Sequence, residues 1–149
     1  MNDGALIILG VTGDLAKRKL IPALYHLFKK NRIQNVAIIG ASQDDVVPSV
    51  ILERARQHIR DIDEQVWQQL CNRFYYQKLD FNKSDDYFAL KKLLELVEKK
   101  YSLGGNRLVY LACAAHFFCD ITNQLGQSGI TQKHTSQNRG WHRIIYEKP

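Results

Sequence analysis

Gly10 and Gly13 close an uncharged run, Leu6-Ile7-Ile8-Leu9, and a basic segment, Lys17-Arg18-Lys19, follows within one helical turn. Residues of these types in this order can hold an anion. A buried strand that turns through glycines into a helix start aims backbone N–H groups at a phosphate, and the missing Cβ atoms let the ligand approach. The spacing G-x-x-G-x-x-A, with Ala16 where a third glycine is usual, is a relative of the dinucleotide fingerprint. Three cations at a helix start oppose the helix macrodipole. A bound anion would relieve that mismatch; an irregular first turn that leaves the cations in water would relieve it too.

Two further places bear on the same chemistry. Ala41-Ser42-Gln43-Asp44-Asp45 follows a second apolar run. In a dinucleotide site an acidic residue here takes the ribose hydroxyls and a basic one indicates a 2′-phosphate. Ser42 and Gln43 can hydrogen-bond either form, and the two aspartates can equally be helix caps, so these residues leave the coenzyme undecided, inclined to NAD. At the other end, His142–Tyr146 reads as a strand that runs into Glu147-Lys148-Pro149. Lys148 is therefore expected at the carboxyl edge of the sheet, facing either the crevice or solvent.

Positioning these groups requires alternating strands and helices. The first strand spans Ala5–Gly10, and a helix follows with Leu20, Leu24, Leu27 and Phe28 as its inner face. Pro22 requires that helix to begin near it after an irregular turn, or to kink there. A second strand covers Asn35–Gly40, then a helix over roughly Val47–Ile59 with Pro48 in its first turn, capped by Asp44 or Asp45. Asp63 and Glu64 open a helix that buries Val66, Trp67 and Leu70. Phe74–Leu79 is a third strand, and Ser84 caps a helix to about Lys99 with Leu90, Leu93, Leu94 and Val97 on one stripe. Arg107–Ala112 is the fourth strand, Phe117–Leu125 a helix, Gly126–Gly140 a connecting loop, and His142–Tyr146 the fifth strand. The alternation predicts a single α/β domain over residues 1–149, a doubly wound, Rossmann-like parallel sheet of five strands in the order 3-2-1-4-5. Its ligand crevice belongs at the carboxyl ends of strands one and four.

Composition narrows the partners. The 149 residues are 45% hydrophobic and 24% charged, as in an ordinary globular domain, and the net charge of +6 favours anionic ligands. No arginine-rich tract with interleaved aromatics is present, which argues against nucleic acid. The N-terminal apolar run is too short for a signal peptide or a membrane span, so no membrane association is expected and a cytoplasmic location is the default. Cys71, Cys113 and Cys119 form no C-x-x-C pair and are expected as mostly buried free thiols in a reducing compartment. The five histidines lack metal-ligand spacing, so no metal site is expected.

Three blocks then resemble one family. Gly10-Val11-Thr12-Gly13-Asp14-Leu15-Ala16-Lys17-Arg18-Lys19-Leu20-Ile21-Pro22 resembles the coenzyme segment of the glucose-6-phosphate dehydrogenases. Tyr110-Leu111-Ala112 with the small residues after it resembles their fourth-strand segment, and Gly140-Trp141-His142-Arg143-Ile144-Ile145-Tyr146-Glu147-Lys148-Pro149 is similar to their Gly-Trp-Asn-Arg-Ile-Ile-x-Glu-Lys-Pro block. The resemblance spans the whole chain but only the amino-terminal domain of such an enzyme. It implies oxidation of glucose 6-phosphate to 6-phosphogluconolactone with hydride passed to NADP, the entry to the pentose phosphate pathway. It assigns Gly10, Val11, Thr12, Gly13, Asp14, Leu15, Ala16 and Lys17 to the coenzyme loop, with Gln43 at the 2′ position. Lys19 and Lys148 match lysines on the substrate side, Lys148 between coenzyme and sugar phosphate. Pro149 matches a proline often preceded by a cis bond.

The chain departs from the family in ways that matter. Gln43 stands where an arginine usually holds the 2′-phosphate, which leaves NAD open beside NADP. Ala114-Ala115 replace paired prolines, and Phe118 replaces an aromatic hydroxyl. The family's Arg-Ile-Asp-His-Tyr-Leu-Gly-Lys segment and its catalytic histidine have no counterpart in these residues. The chain by itself is therefore expected to bind coenzyme and to lack turnover. A non-catalytic dinucleotide sensor or partner subunit is the alternative, and a degenerate fragment without ligand is a further one. An extended short-chain dehydrogenase would need a Tyr-x-x-x-Lys pair; the one match, Tyr25 with Lys29, falls inside the first helix. Oligomeric state is not legible, although self-association through apolar surface left for a second domain is compatible with the resemblance.

Overall fold

The computed structural model describes residues 3–133 and 140–147. Five strands form one parallel sheet: β1 (Asp3–Leu9), β2 (Asn35–Ser42), β3 (Phe74–Lys78), β4 (Arg107–Leu111) and β5 (His142–Tyr146). Their spatial order is β3-β2-β1-β4-β5, as expected from the alternation of apolar runs with helical stripes. Register is set by burial on both faces, because a slip of one residue would exchange the two faces of a strand. Ala5, Ile7 and Leu9 point to one side and join Ala37, Ile39, Val109 and Leu111. Ile8 points to the other and joins Val36 and Ile38.

Helices cover both faces, as a parallel sheet requires. On the first face lie α4 (Ser84–Tyr101) and α5 (Phe118–Ser128), with Tyr87, Leu90, Leu94, Ile121 and Leu125 in the core. On the second lie α1 (Ile21–Lys29), α2 (Pro48–Arg56) and α3 (Glu64–Asn72). Trp67, Leu70 and Tyr25 fill that core.

The entry to α1 answers the problem posed by Pro22. Residues Ala16–Leu20 form a π-helical turn, and the Ile21 N–H reaches back to the Ala16 carbonyl. The widened turn absorbs the donor that proline lacks, so α1 proceeds with Pro22 in its first turn. The inner stripe is Ile21, Leu24, Tyr25 and Phe28 rather than one containing Leu27, which is 39% exposed.

Several boundaries differ from expectation for identifiable reasons. Asp63 does cap α3, its carboxylate accepting the N–H groups of Gln65 and Val66 at 2.9 and 3.2 Å. Neither Asp44 nor Asp45 caps α2: Val47 is the N-cap, Pro48 the first residue, and the helix stops at Arg56. Ser84 is the first residue of α4 rather than its cap, a position taken by Lys83. Gly126 lies within α5, which continues to Ser128 before Gly129 ends it in a left-handed conformation. Of the cysteines, Cys71 and Cys113 are half-buried but Cys119 is exposed. Among the described residues no helix is long and apolar enough to cross a membrane.

Candidate functional site

The turn after β1 is held to the strands on either side of it. The Gly10 N–H donates to the Ala41 carbonyl at 2.8 Å, with the Val11 N–H on the same oxygen at 3.4 Å. On the other flank the Ala112 N–H donates to the Leu9 carbonyl at 2.8 Å. The turn is thus fixed where β1 meets β2 on one side and β4 on the other. This is the switch point of the sheet, where connections leave in opposite directions and open a crevice.

Glycine at position 10 is a backbone requirement. Its φ is +91°, and a Cβ there would stand 2.5 Å from the Ala112 carbonyl oxygen. Gly40 is required for a different reason: a Cβ on it would meet Val11 Cγ1 at 2.6 Å. Gly13 differs from both. Its φ is unexceptional, and a Cβ would encounter only the Gly10 carbonyl, at 3.3 Å. The fold alone makes a weak demand for glycine at 13, and this bare backbone lines the crevice. Ahead of it, the first-turn N–H groups of the following helix lack intrahelical acceptors, as at any helix start.

The crevice has a volume of about 250 Å³. Gly10, Thr12 and Gly13 form its floor and Ser42, Gln43 and Asp44 one rim. Phe81, Ala112, Cys113 and Phe117 complete its apolar wall. The rim is tightly specified. Ser42 is buried, and its Oγ accepts the Thr12 N–H at 3.2 Å. The Thr12 hydroxyl donates to the Asp44 carboxylate. The Tyr76 hydroxyl is shared between the carbonyls of Ser42 and Asp44, at 2.9 and 2.6 Å. Burial, with the nearby Asp44 and Asp45 charges, pushes that phenol up to about 12. The Gln43 side-chain amide donates to Asp80 at 3.4 Å. On the wall, burial pushes the Cys113 thiol above its ordinary value, so it stays neutral.

The expected site residues divide clearly. Gly10, Thr12, Gly13 and Gln43 line one crevice. Val11 and Ala16 are fully buried in the second core, so their side chains serve packing and only their backbone is near the turn. Leu15 is half-buried and does not line the crevice. Asp14 pairs with Lys17 at 2.8 Å and with Arg18 at 3.7 Å. The Lys17 ammonium, by hydrogen bond and by charge, lowers the Asp14 carboxyl below its ordinary value. Two of the three cations at this helix start therefore share one carboxylate in the same turn, Lys17 more closely than Arg18. Lys19 is exposed and, among the described residues, has no ion-pair partner. Lys148 and Pro149 lie outside the described residues. Just before them, Glu147 accepts a hydrogen bond from the Tyr110 hydroxyl, and this contact first, then burial, pushes the phenol up to about 12.

Tyr76, Asp80 and Phe81 escaped notice in the sequence. A partial signal existed: residues that follow the carboxyl ends of the strands on this side of the sheet can border the crevice. Ala112-Cys113 follow β4 as Gln43-Asp44 follow β2, and Asp80-Phe81 come one residue further beyond the end of β3. The Tyr25–Lys29 pair is a structural element instead. Tyr25 is fully buried and its oxygen accepts the Asp63 N–H at 2.8 Å, so it cannot serve as the acid of a short-chain dehydrogenase.

Comparison with known proteins places these features in context. Residues 7–149 match the family model described as "Glucose-6-phosphate dehydrogenase, NAD binding domain". A glucose-6-phosphate 1-dehydrogenase of Chlamydia muridarum (strain MoPn / Nigg) is 34% identical over 97% of the chain, which covers 30% of that enzyme. One from Bacillus subtilis (strain 168) is also 34% identical over 97% of the chain, with 29% of the enzyme covered. Among solved structures, a glucose-6-phosphate dehydrogenase in complex with glucose 6-phosphate superposes with a TM-score of 0.86 at 25% identity. That match covers 99% of this chain and 31% of the enzyme. The chain thus spans about 30% of the length of the curated relatives it matches.

Proposed function

Because the chain belongs to the glucose-6-phosphate dehydrogenase family, through its NAD-binding domain, we propose that the crevice at Gly10–Gly13 holds a nicotinamide dinucleotide. The observation that carries this reading is the bare backbone at Gly13: steric demands of the fold explain Gly10 and Gly40, whereas at 13 the open side faces the crevice. A pyrophosphate seated there would receive the free first-turn N–H groups of the helix and its dipole. The apolar wall of Phe81 and Phe117 suits a flat base or ring. When bound, the coenzyme supplies the hydride acceptor; this chain's residues bind and orient it.

In the whole enzyme the reaction is the oxidation of glucose 6-phosphate to its lactone, as for the family. Lys19, exposed and unpaired among the described residues, and Lys148 are assigned to the sugar phosphate. The role of Lys17 is to exchange its Asp14 partner for the coenzyme pyrophosphate. Oxidation also requires a base positioned to take the sugar hydroxyl proton. Among the described residues the crevice lining contains no histidine, and its one carboxylate, Asp44, already accepts the Thr12 hydroxyl. The 149-residue chain alone therefore binds coenzyme and forms no reduced coenzyme when glucose 6-phosphate is added.

Calorimetric titration of the purified chain with NAD and NADP tests this. Saturable binding is expected, weakened at least about tenfold (~1.4 kcal/mol) by Gly13→Ala. Thermal unfolding should move little, because the added methyl meets only one carbonyl. Equal affinity of the Gly13→Ala chain would remove the pyrophosphate from this turn, and turnover by the wild-type chain would refute the division of labour.

A further inference from the structure

We infer that this chain selects NAD over NADP, because the end of β2 presents to the adenosine 2′ position a carboxylate-rich rim at which, among the described residues, the neighbouring Lys78 is already turned to Asp45. The inference rests on the coenzyme reading above and adds to it the identity of the coenzyme. Three features of the rim carry it. First, Gln43 occupies the position after β2 that faces the 2′ substituent in a site of this topology, and its amide is turned to Asp80. Second, Asp44 is held in the crevice from two directions: its carboxylate by the Thr12 hydroxyl and its carbonyl by the Tyr76 hydroxyl at 2.6 Å. The Tyr76 contact fixes the backbone, and turning the carboxylate away would cost the Thr12 hydrogen bond. Third, among the described residues no lysine or arginine lines this end of the crevice. Lys78 is at hand, but it faces Asp45 at 3.5 Å and is more than half exposed.

The remaining charged groups around the rim reinforce its sign. Asp80 sits with Asp86 behind it, the Asp80 N–H donating to the Asp86 carboxylate at 2.8 Å. Asp80 itself is capped by its own turn, its carboxylate accepting the Asn82 N–H at 3.0 Å. A ribose 2′-hydroxyl is a hydrogen-bond donor, and a carboxylate is its natural partner. A 2′-phosphate offers acceptors only and brings nearly two negative charges toward Asp44 and Asp80, so it meets repulsion where NADP sites place an attractive guanidinium. The same groups thus favour one coenzyme and oppose the other.

The test is a paired titration of the 149-residue chain with NAD and NADP at low and at high salt, repeated on Gln43→Arg and Asp44→Asn. The wild-type chain is expected to bind NAD at least about tenfold tighter than NADP, with the gap narrowing as salt screens the rim. Gln43→Arg, an exposed site, should move the ratio toward NADP by about tenfold or more. Asp44→Asn should weaken NAD and strengthen NADP. Equal or tighter NADP binding by the wild-type chain would overturn the inference while leaving the coenzyme reading intact. A ratio indifferent to both substitutions would overturn the placement of the rim. Silence toward both coenzymes, with the chain folded, would overturn the coenzyme reading and this inference with it.

Discussion

Gly10→Ala should destabilise the chain by about 3–5 kcal/mol and abolish measurable coenzyme binding. Two penalties combine at one site. A φ of +91° is one that an L side chain rarely adopts, and the new methyl would stand 2.5 Å from the Ala112 carbonyl, which is backbone and cannot rotate away. Relief requires β4 to separate from the turn, and that opens the hydrogen bond from Ala112 to Leu9 on which the crevice depends. Such a loss is a large share of the roughly 5–15 kcal/mol that holds a domain together. Gly126→Ala is the matched control. It lies inside α5 with a Cβ in open space, so the substitution should stabilise by about 0.5–1 kcal/mol. Urea unfolding of the two variants beside the wild type separates a steric demand from a general intolerance of Gly→Ala. A Gly10→Ala chain with wild-type stability would mean that the turn is not built as described.

The second large effect lies at the opposite end of the sheet. Arg107 opens β4 and meets Glu98 of α4 with two parallel contacts of 2.8 Å, while its remaining nitrogen donates to the carbonyls of Gly129 and Ile130 at 3.2 and 2.9 Å. The side chains are only 11% and 14% exposed. One guanidinium therefore joins the last turns of α4, the start of β4 and the end of α5. Glu98→Gln should cost about 3–5 kcal/mol, because it leaves a guanidinium partly buried without its counter-charge. Replacing both residues together by methionine should cost much less than Glu98→Met and Arg107→Met added, since no orphaned charge remains. Denaturant melts of the two single variants and the double variant read this directly. Additive losses would show that the pair is not coupled.

The order of the sheet was legible because doubly covered strands read as unbroken apolar runs, and the alternation of runs with helical stripes admits few topologies. Asp63 was legible as a cap because its contacts, to Gln65 and Val66, are local. Asp44 was misread for the opposite reason. Its carboxylate belongs to Thr12, thirty-two positions away, and nothing local announces that pairing. The inner stripe of α1 was misjudged because Leu27 is more apolar than Tyr25 on any scale. Yet Tyr25 is the one that can be buried, since its hydroxyl finds the Asp63 N–H. In the candidate site Gly10 was visible because its backbone demand is written in residue type, while Gln43 was picked out from its neighbours only by the resemblance. The balance of Asp14 against Lys17 and Arg18 was within reach as an i,i+3 and i,i+4 pattern. The wall of Phe81 and Cys113 carried only a positional signal, after the ends of two different strands, and no residue type that announces a ligand.

The central claim is that the turn from β1 into its helix receives the pyrophosphate of a nicotinamide dinucleotide. Backbone amide resonances followed while NAD is added to the isotope-labelled 149-residue chain test it most directly. Large, saturable shifts at Gly10, Thr12, Gly13 and Asp14, with smaller ones at Gln43, are the expected result. Saturable shifts confined to a different depression, such as the one beside Thr122 and His142, with the turn unmoved, would contradict it.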